Sequence, residues 1–310
     1  MINDKIIVTG GSGFLGQSVV DKLIAVGYNP NTIIVPRKAQ YDLTQQESVN
    51  RLFEDTNPDI VIHLAAEVGG IGANMKYPGR FFYANMSMGI NLIEQSRLNN
   101  IKKFVFVGTV CAYPKHCPAP FKEFDIWNGY PEETNAAYGV AKKSLFTMLE
   151  AYYQQYELKS TILVPVNLYG PRDNFNPNSS HVIPALIHKC ETAKRNNIDR
   201  IECWGTGDST REFLYVDDAA DGIVCSISKI DYPTPINLGS GHEISIKDLI
   251  HKISKLCGYN GEIVWDTSKP DGQPRRLLDI SKAKALLDWE PKQNFEDGLI
   301  NTINWYRSVL

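Results

Sequence analysis

The sequence predicts an α/β fold, a doubly wound parallel sheet with a smaller and mostly C-terminal α/β region beside it. Three observations predict this. Short apolar runs alternate with helical stretches through the first half, the pattern of parallel strands covered by helices on both faces. A glycine cluster stands where the first apolar run gives way to the first helix. The second half is less regular, with scattered strands and helices.

Taken in order, residues 5–8 form the first strand and residues 14–26 a helix ending at Gly27. Residues 32–35 form the second strand, and Thr44 with Glu47 a capping box that opens the next helix. Residues 59–64 are a buried strand, residues 80–99 a long helix and residues 103–107 a further strand. Residues 136–155 are helical and residues 161–166 extended. Residues 170–180, rich in Pro, Asn and Ser, read as a loop, and a helix follows over about 182–195. Residues 213–216 and 235–238 read as strands returning to the sheet, with a helix over 217–228 between them. Helices follow at 245–256, 281–287 and 295–308. Residues 1–168 with about 212–240 are expected to form one domain, and about 169–211 with 241–310 the other.

With 310 residues, 43% of them hydrophobic, the chain can bury a large core in one or two domains. Lys plus Arg number 32 against 35 Asp plus Glu, a net charge of -3. That balance gives no basic surface for nucleic acid or an anionic membrane, although a small anion needs only a few local cations. No apolar run approaches bilayer length, and Met1-Ile2-Asn3-Asp4-Lys5 does not resemble a signal peptide. The six cysteines include no C-x-x-C pair, which argues against a zinc site and gives no disulfide framework. No metal is expected, and a reduced, cytoplasmic setting is.

Gly10, Gly13 and Gly16 lie within Thr9-Gly10-Gly11-Ser12-Gly13-Phe14-Leu15-Gly16. Alone this is a turn. Between a strand and a helix it predicts a dinucleotide site: glycine lets the backbone approach a pyrophosphate, and the helix N-terminus offers free N–H groups. An acid at the end of the second strand would hold the ribose 2′-hydroxyl of NAD. Here that place has Pro36-Arg37-Lys38, with Asp42 a few residues on. Two cations suit the 2′-phosphate of NADP(H); the duller reading is a solvated surface turn.

Tyr138 and Lys142 lie four residues apart on a helical stretch and so share a face. An ammonium beside a phenol favours phenolate and lowers its pKa from about 10, which suits proton exchange with a carbonyl or hydroxyl. The alternative is an aromatic packed at a helix start with a solvated lysine. The glycine motif and the strand ending at Val107-Gly108-Thr109 favour the catalytic reading.

Together with His63-Leu64-Ala65-Ala66, these features resemble the extended short-chain dehydrogenase/reductases that act on nucleotide sugars. The resemblance spans nearly the whole chain. It is carried further by Glu67-Val68-Gly69-Gly70-Ile71, Cys111-Ala112-Tyr113-Pro114-Lys115 and Asn167-Leu168-Tyr169-Gly170-Pro171 with Asp173-Asn174-Phe175. Ser180-His181-Val182-Ile183-Pro184-Ala185-Leu186, Trp204-Gly205, Arg211-Glu212-Phe213 and Lys269-Pro270-Asp271-Gly272 complete it. Within that family it implies a Rossmann fold and an NADP-dependent 3,5-epimerase and 4-reductase of GDP-4-keto-6-deoxy-D-mannose.

The resemblance implies that Tyr138 donates a proton at carbon 4, with Lys142 its partner and a holder of the nicotinamide ribose. Thr109 stands where a hydroxyl bonds the substrate oxygen, and Cys111 and His181 match the epimerisation pair. Gly10, Gly11, Ser12, Gly13, Phe14, Leu15, Gly16, Arg37, Lys38 and Ala65 match cofactor contacts. So do Val107, Gly108, Thr109, Val110, Lys142, Pro165, Val166, Asn167, Leu168 and His181. Lys189, Trp204, Arg211 and Asp271 match GDP-sugar contacts. The chemistry agrees: a carbon-4 ketone acidifies the hydrogens on carbons 3 and 5, and cysteine at about 8.5 and histidine at about 6.5 bracket neutral pH.

Each role has a plainer alternative. A cysteine after a strand is often a small buried hydrophobe, and His181 is placed to cap the following helix. Arg211 pairs with diphosphate or makes a structural salt bridge, and Trp204 stacks on base or sugar or belongs to the core. Cys117, Cys190, Cys203, Cys225 and Cys257 read as structural. The 4,6-dehydratases of the superfamily carry Thr-Asp-Glu where this chain has Thr109-Val110-Cys111, so the acids of water loss are missing. Several members of the nearest branch carry His-Arg in place of Gly11-Ser12, which removes one 2′-phosphate contact. Rival readings are a reductase or epimerase of another GDP-4-keto-sugar, such as a heptose, and a non-catalytic NADP sensor. Helices 80–99 and 136–155 carry apolar residues on more than one face; in the family resembled such helices pair into a four-helix bundle between subunits, so the resemblance implies a homodimer.

Overall fold

The computed structural model describes residues 1–177, 179–269 and 271–310. Asn178, in the expected loop 170–180, and Pro270, in the Lys269–Gly272 motif, lie outside the described residues.

The first half builds one parallel sheet. Its strands are β1 (Ile6–Thr9), β2 (Ile33–Ile34), β3 (Ile60–His63), β4 (Lys103–Val107) and β5 (Ser160–Pro165). Helices α1 (Phe14–Ala25), α2 (Gln46–Thr56), α3 (Ile71–Lys76), α4 (Pro78–Leu98) and α5 (Ala136–Tyr156) lie between them. Every residue of β1, β3, β4 and β5 is buried. Strands covered on both faces read as continuous apolar runs, which is why they were legible.

The second half adds β6 (Asn167–Tyr169), α6 (Val182–Arg195), β7 (Arg200–Trp204), β8 (Thr210–Tyr215), α7 (Val216–Lys229) and β9 (Pro235–Leu238). Then come β10 (Glu243–Ser245), α8 (Ile246–Cys257), β11 (Glu262–Asp266), α9 (Ser281–Leu287) and α10 (Phe295–Ser308). The main sheet has the order β2-β1-β3-β4-β5-β9 and is parallel throughout. A second sheet has the order β10-β8-β6 and a third pairs β11 with β7.

Two expectations fail here. Residues 213–216 were expected in the main sheet, but β8 pairs parallel with β6 and antiparallel with β10 instead; only β9 returns. Thr44 and Glu47 form no capping box. The Thr44 hydroxyl donates to Asp42 Oδ1 at 2.8 Å, and α2 starts two residues later without a side-chain cap. The aspartate turn captures the hydroxyl first. Strands β6, β7, β10 and β11 and helix α3 were not anticipated; all are short, and a few residues carry little periodicity.

The chain changes sheets at Pro165-Val166-Asn167. The Val166 N–H still donates to Leu238 in the main sheet at 2.9 Å, while Asn167 already pairs with Phe213 in the second. One apolar cluster surrounds the main sheet, and Leu278, Ala283, Leu287 and Trp289 join it. Another gathers Tyr169, Ile187, Phe213, Leu249 and Leu299 around α6, α8 and α10. Residues 165–168 therefore sit at the seam between two cores.

Candidate active site

At the end of β1 the chain turns back on itself. Gly10 has φ +70, and the Gly13 N–H donates to its carbonyl at 2.9 Å. A Cβ at Gly16 would collide with that same carbonyl oxygen, so only glycine lets α1 start against the turn. Helix α1 begins at Phe14 with no side chain capping it, leaving first-turn N–H groups for an anion. The turn borders a cavity of about 430 Å³. Gly10, Ser12, Gly13, Phe14, Leu15 and Gly16 line it, and Arg37, Lys38, Ala65 and Glu67 are among its other lining residues. Gly11 faces the other way, toward Val35 and the Val8 carbonyl. A bare backbone cradle with cations at its far wall fits a phosphorylated dinucleotide.

Thr9 ties the end of β1 to Leu64 and Ala65, which line this cavity. Thr9 Oγ1 accepts from the N–H groups of Leu64 and Ala65, each at 3.2 Å. With its lone pairs engaged, the hydroxyl gives its proton to His63 Nδ1, 2.8 Å away. His63 is thus the Nε2–H tautomer, and burial followed by the charge of Lys142 keeps it neutral.

The second cluster forms where β4 ends. Thr109 accepts the Cys111 N–H at 3.2 Å and caps a short 3-10 turn over Val110–Ala112. Helix α5 lies directly on this turn, because a Cβ at Gly139 would collide with the Cys111 carbonyl oxygen. Tyr138, one residue before Gly139, is brought against both, hydrogen-bonded to Thr109 and within electrostatic reach of Cys111. Lys142 is buried, donates to the Val107 carbonyl at 2.9 Å and lies 4.7 Å over the Phe106 ring. Burial lowers its pKa to about 7.

The expected effect of the lysine on the tyrosine is not met. Burial pushes the Tyr138 phenol up, Cys111 adds to that, and only the Thr109 hydrogen bond opposes it. The lysine's ammonium is directed at Val107, so the phenol stays protonated.

The remaining candidates come from the second half. His181 stands at the start of α6 but makes no capping bond, which removes the capping alternative. Desolvation, then the charge of Arg276, hold its pKa below the usual value. Arg211 donates to the carbonyls of Thr210 at 2.8 Å and Asp271 at 2.9 Å, which is not the structural salt bridge considered as its alternative. The Asp271 carboxylate accepts the Thr206 N–H at 2.8 Å. Trp204 is 53% exposed beneath Lys269, and so is not core. Lys189 donates to the Glu202 carbonyl at 2.7 Å. Val107, Gly108, Val110, Pro165, Val166, Asn167 and Leu168 do not line the glycine-loop cavity; they occupy the strand ends beside it.

Sequence reasoning missed Arg276. It is buried, donating to Gln273 Oε1 and Asn167 Oδ1, each at 3.3 Å, and its charge acts on both His181 and Arg211. A guanidinium keeps its proton, so the two arginines repel each other, opposed at Arg211 by the charges of Asp271 and Glu132. Its signal was the Arg275-Arg276 dipeptide just past Asp271-Gly272. Among the described residues no group of His, Cys, Asp or Glu is arranged to hold a metal ion.

Residues 6–239 match the model of the NAD dependent epimerase/dehydratase family. The chain belongs to this family. GDP-L-fucose synthase 1 of Arabidopsis thaliana is 39% identical over 302 residues, 97% of this chain and 93% of that protein. Among solved structures, a GDP-6-OMe-4-keto-L-xylo-heptose reductase from C. jejuni matches with TM-score 0.93 and 31% identity, covering 99% of both chains. A GDP-L-fucose synthetase from Naegleria fowleri bound to NADP matches with TM-score 0.90 and 28% identity, covering 99% of this chain and 95% of that one.

Proposed function

We propose that the chain epimerises GDP-4-keto-6-deoxy-D-mannose at carbons 3 and 5 and reduces it at carbon 4 with NADPH, making GDP-L-fucose. The observation that carries this reading is the meeting of Tyr138, Thr109 and Cys111 at one strand end. The relatives' activities support it, as does the pair Arg211/Arg276, which suits a diphosphate. In this reading residues 1–168 with about 212–240 hold the cofactor, and about 169–211 with 241–310 the GDP-sugar.

The glycine cradle, Arg37 and Lys38 would hold NADPH, which supplies the hydride for carbon 4 when bound. Ala65, Val107 to Val110, Pro165 to Leu168 and Lys142 complete its bed. Tyr138, kept protonated by burial, delivers a proton to the carbon-4 oxygen, and the Thr109 hydroxyl beside it holds that oxygen. Cys111 and His181 handle carbons 3 and 5, one taking the proton acidified by the ketone and the other returning one to the opposite face. Arg211 and Arg276 bind diphosphate, with Lys189, Trp204 and Asp271 along the rest of the nucleotide.

NMR analysis of the product from GDP-4-keto-6-deoxy-D-mannose and NADPH tests the reading. GDP-L-fucose is expected. NADPH left unoxidised with every GDP-4-keto-sugar would overturn it, and a Cys111→Ser variant with full epimerisation would remove Cys111 from the pair. The closeness to a heptose reductase favours a second reading, reduction of a GDP-4-keto-heptose, and turnover of that substrate alone would select it.

Two further parts of the proposal concern assembly and place. Among the described residues no helix is long and apolar enough to cross a membrane, and cytoplasmic residence is proposed. Phe82, Tyr83 and Ile90 on α4 and Tyr153 and Tyr156 on α5 are exposed, and we assign this face to a homodimer. Sedimentation as a monomer at micromolar concentration would exclude it.

A further inference from the structure

Glu67 stands two residues past Ala65 at the end of β3 and lines the same cavity as Arg37 and Lys38. Its backbone is pinned, because buried Asn85 on α4 donates to its carbonyl at 2.8 Å. Its carboxylate is shared between two cations. Arg80, also on α4, grips it through two hydrogen bonds of 2.7 Å each. Lys38 reaches it from the other wall through a single contact of 3.2 Å to Oε1. The acid therefore joins the loop after β2, the loop after β3 and the first turns of α4. Asp42 also lines the cavity, but its carboxylate is already engaged by Thr44.

The two grips are unequal. A two-pronged guanidinium pair is stronger and more fixed than one ammonium contact. Lys38 is the more exposed of the two cations and the one that leaves more readily. A phosphate arriving at the cavity wall presents the same chemistry as the Glu67 carboxylate, an anionic oxygen for the Lys38 ammonium, with more charge.

We propose that Glu67 is a specificity-determining residue that competes with the 2′-phosphate of NADPH for Lys38, and that Arg80 sets the strength of this competition. This rests on the reading of Lys38 as a 2′-phosphate ligand. Arg80 acts through Glu67: by occupying the carboxylate, it frees Lys38 for the cofactor. NADH has no 2′-phosphate and is indifferent to the contest.

Glu67 and Arg80 then have opposite effects, which a merely structural ion pair would not have. The test measures dissociation constants of NADPH and NADH by nicotinamide fluorescence at low ionic strength, with no turnover involved. An exposed ion pair is worth about 1.5- to 5-fold in an equilibrium constant. Glu67→Gln is expected to tighten NADPH by that factor and Arg80→Gln to weaken it by that factor. The double variant should match Glu67→Gln, and NADH should bind all of them alike. Glu67→Gln that leaves NADPH unchanged or weakens it overturns the proposal, as does a shift of both single variants in the same direction. Weaker NADH binding in Glu67→Gln also overturns it, by placing the carboxylate on the ribose. Lys38→Gln separates the two levels. If it leaves the NADPH-to-NADH ratio unchanged, the Lys38 assignment itself fails. If it lowers that ratio while Glu67→Gln is neutral, only the competition fails.

Discussion

Lys142→Met is expected to raise stability at low pH while abolishing reduction. The ammonium is buried, with a folded pKa of about 7 against an ordinary 10.5. Below pH 7 both folded and unfolded chains carry the proton, and the folded state bears the whole cost of burying the charge. Between the two values the unfolded chain keeps a proton that the folded chain has released, so stability rises with pH. At about 1.4 kcal/mol per unit, the full span is worth about 5 kcal/mol, and the rise from pH 6 to pH 9 about 2.7 kcal/mol. Methionine removes the charge but leaves the Val107 carbonyl without its donor, a loss of about 2–3 kcal/mol. The variant should be about 2 kcal/mol more stable than the parent at pH 6 and roughly equal to it at pH 9. Urea denaturation of both proteins across this range checks it, since other titrating groups cancel in the difference. A difference that does not change with pH, or a variant less stable at pH 6, would refute the reasoning.

Three further expectations follow from single contacts. Gly139→Ala forces α5 off the Cys111 carbonyl; a loss of about 1–3 kcal/mol in stability is expected, with kcat reduced more than NADPH affinity in binding and rate measurements. Arg276→Gln removes a charge that lowers His181, so the limb of the pH–rate profile governed by that imidazole should move to higher pH while KM for the GDP-sugar rises. His63 should give the nitrogen NMR pattern of the Nε2–H tautomer and take up a proton only well below the pH at which an ordinary imidazole does; the opposite tautomer would break the Thr9 assignment.

The main sheet was legible because its strands are buried on both faces and its turn needs glycine at fixed places. Gly10 and Gly16 are such positions, and the backbone there accepts nothing larger. The second sheet was not legible. Strand β6 has three residues and β10 three, too few to alternate, and nothing local tells β8 which sheet to join. Tyr138 and Lys142 could be found by spacing, but their mutual effect could not. That depended on where the ammonium points, and the Val107 carbonyl captures it.

The same limit explains why Arg276 was missed, and it points to what the cleft is built for. Lys142, Arg211 and Arg276 all donate to neutral oxygens: the carbonyls of Val107, Thr210 and Asp271 and the side-chain amides of Gln273 and Asn167. Burial disfavours the charge of both Lys142 and Arg211. A sequence selected for stability alone would have apolar residues or carboxylate partners at such places. Instead three cations are held in the folded state at its expense, two of them close enough to act on each other. An anionic ligand entering between Arg211 and Arg276 would add negative charge to that of Asp271 and Glu132 and relieve the arginines' repulsion. It would also lift the depression that Arg276 imposes on His181. Ligand binding and the proton affinity of the candidate acid/base group are thereby coupled through one guanidinium. The coupling depends on burial and on the neutrality of the partners, which exist only once the chain has folded.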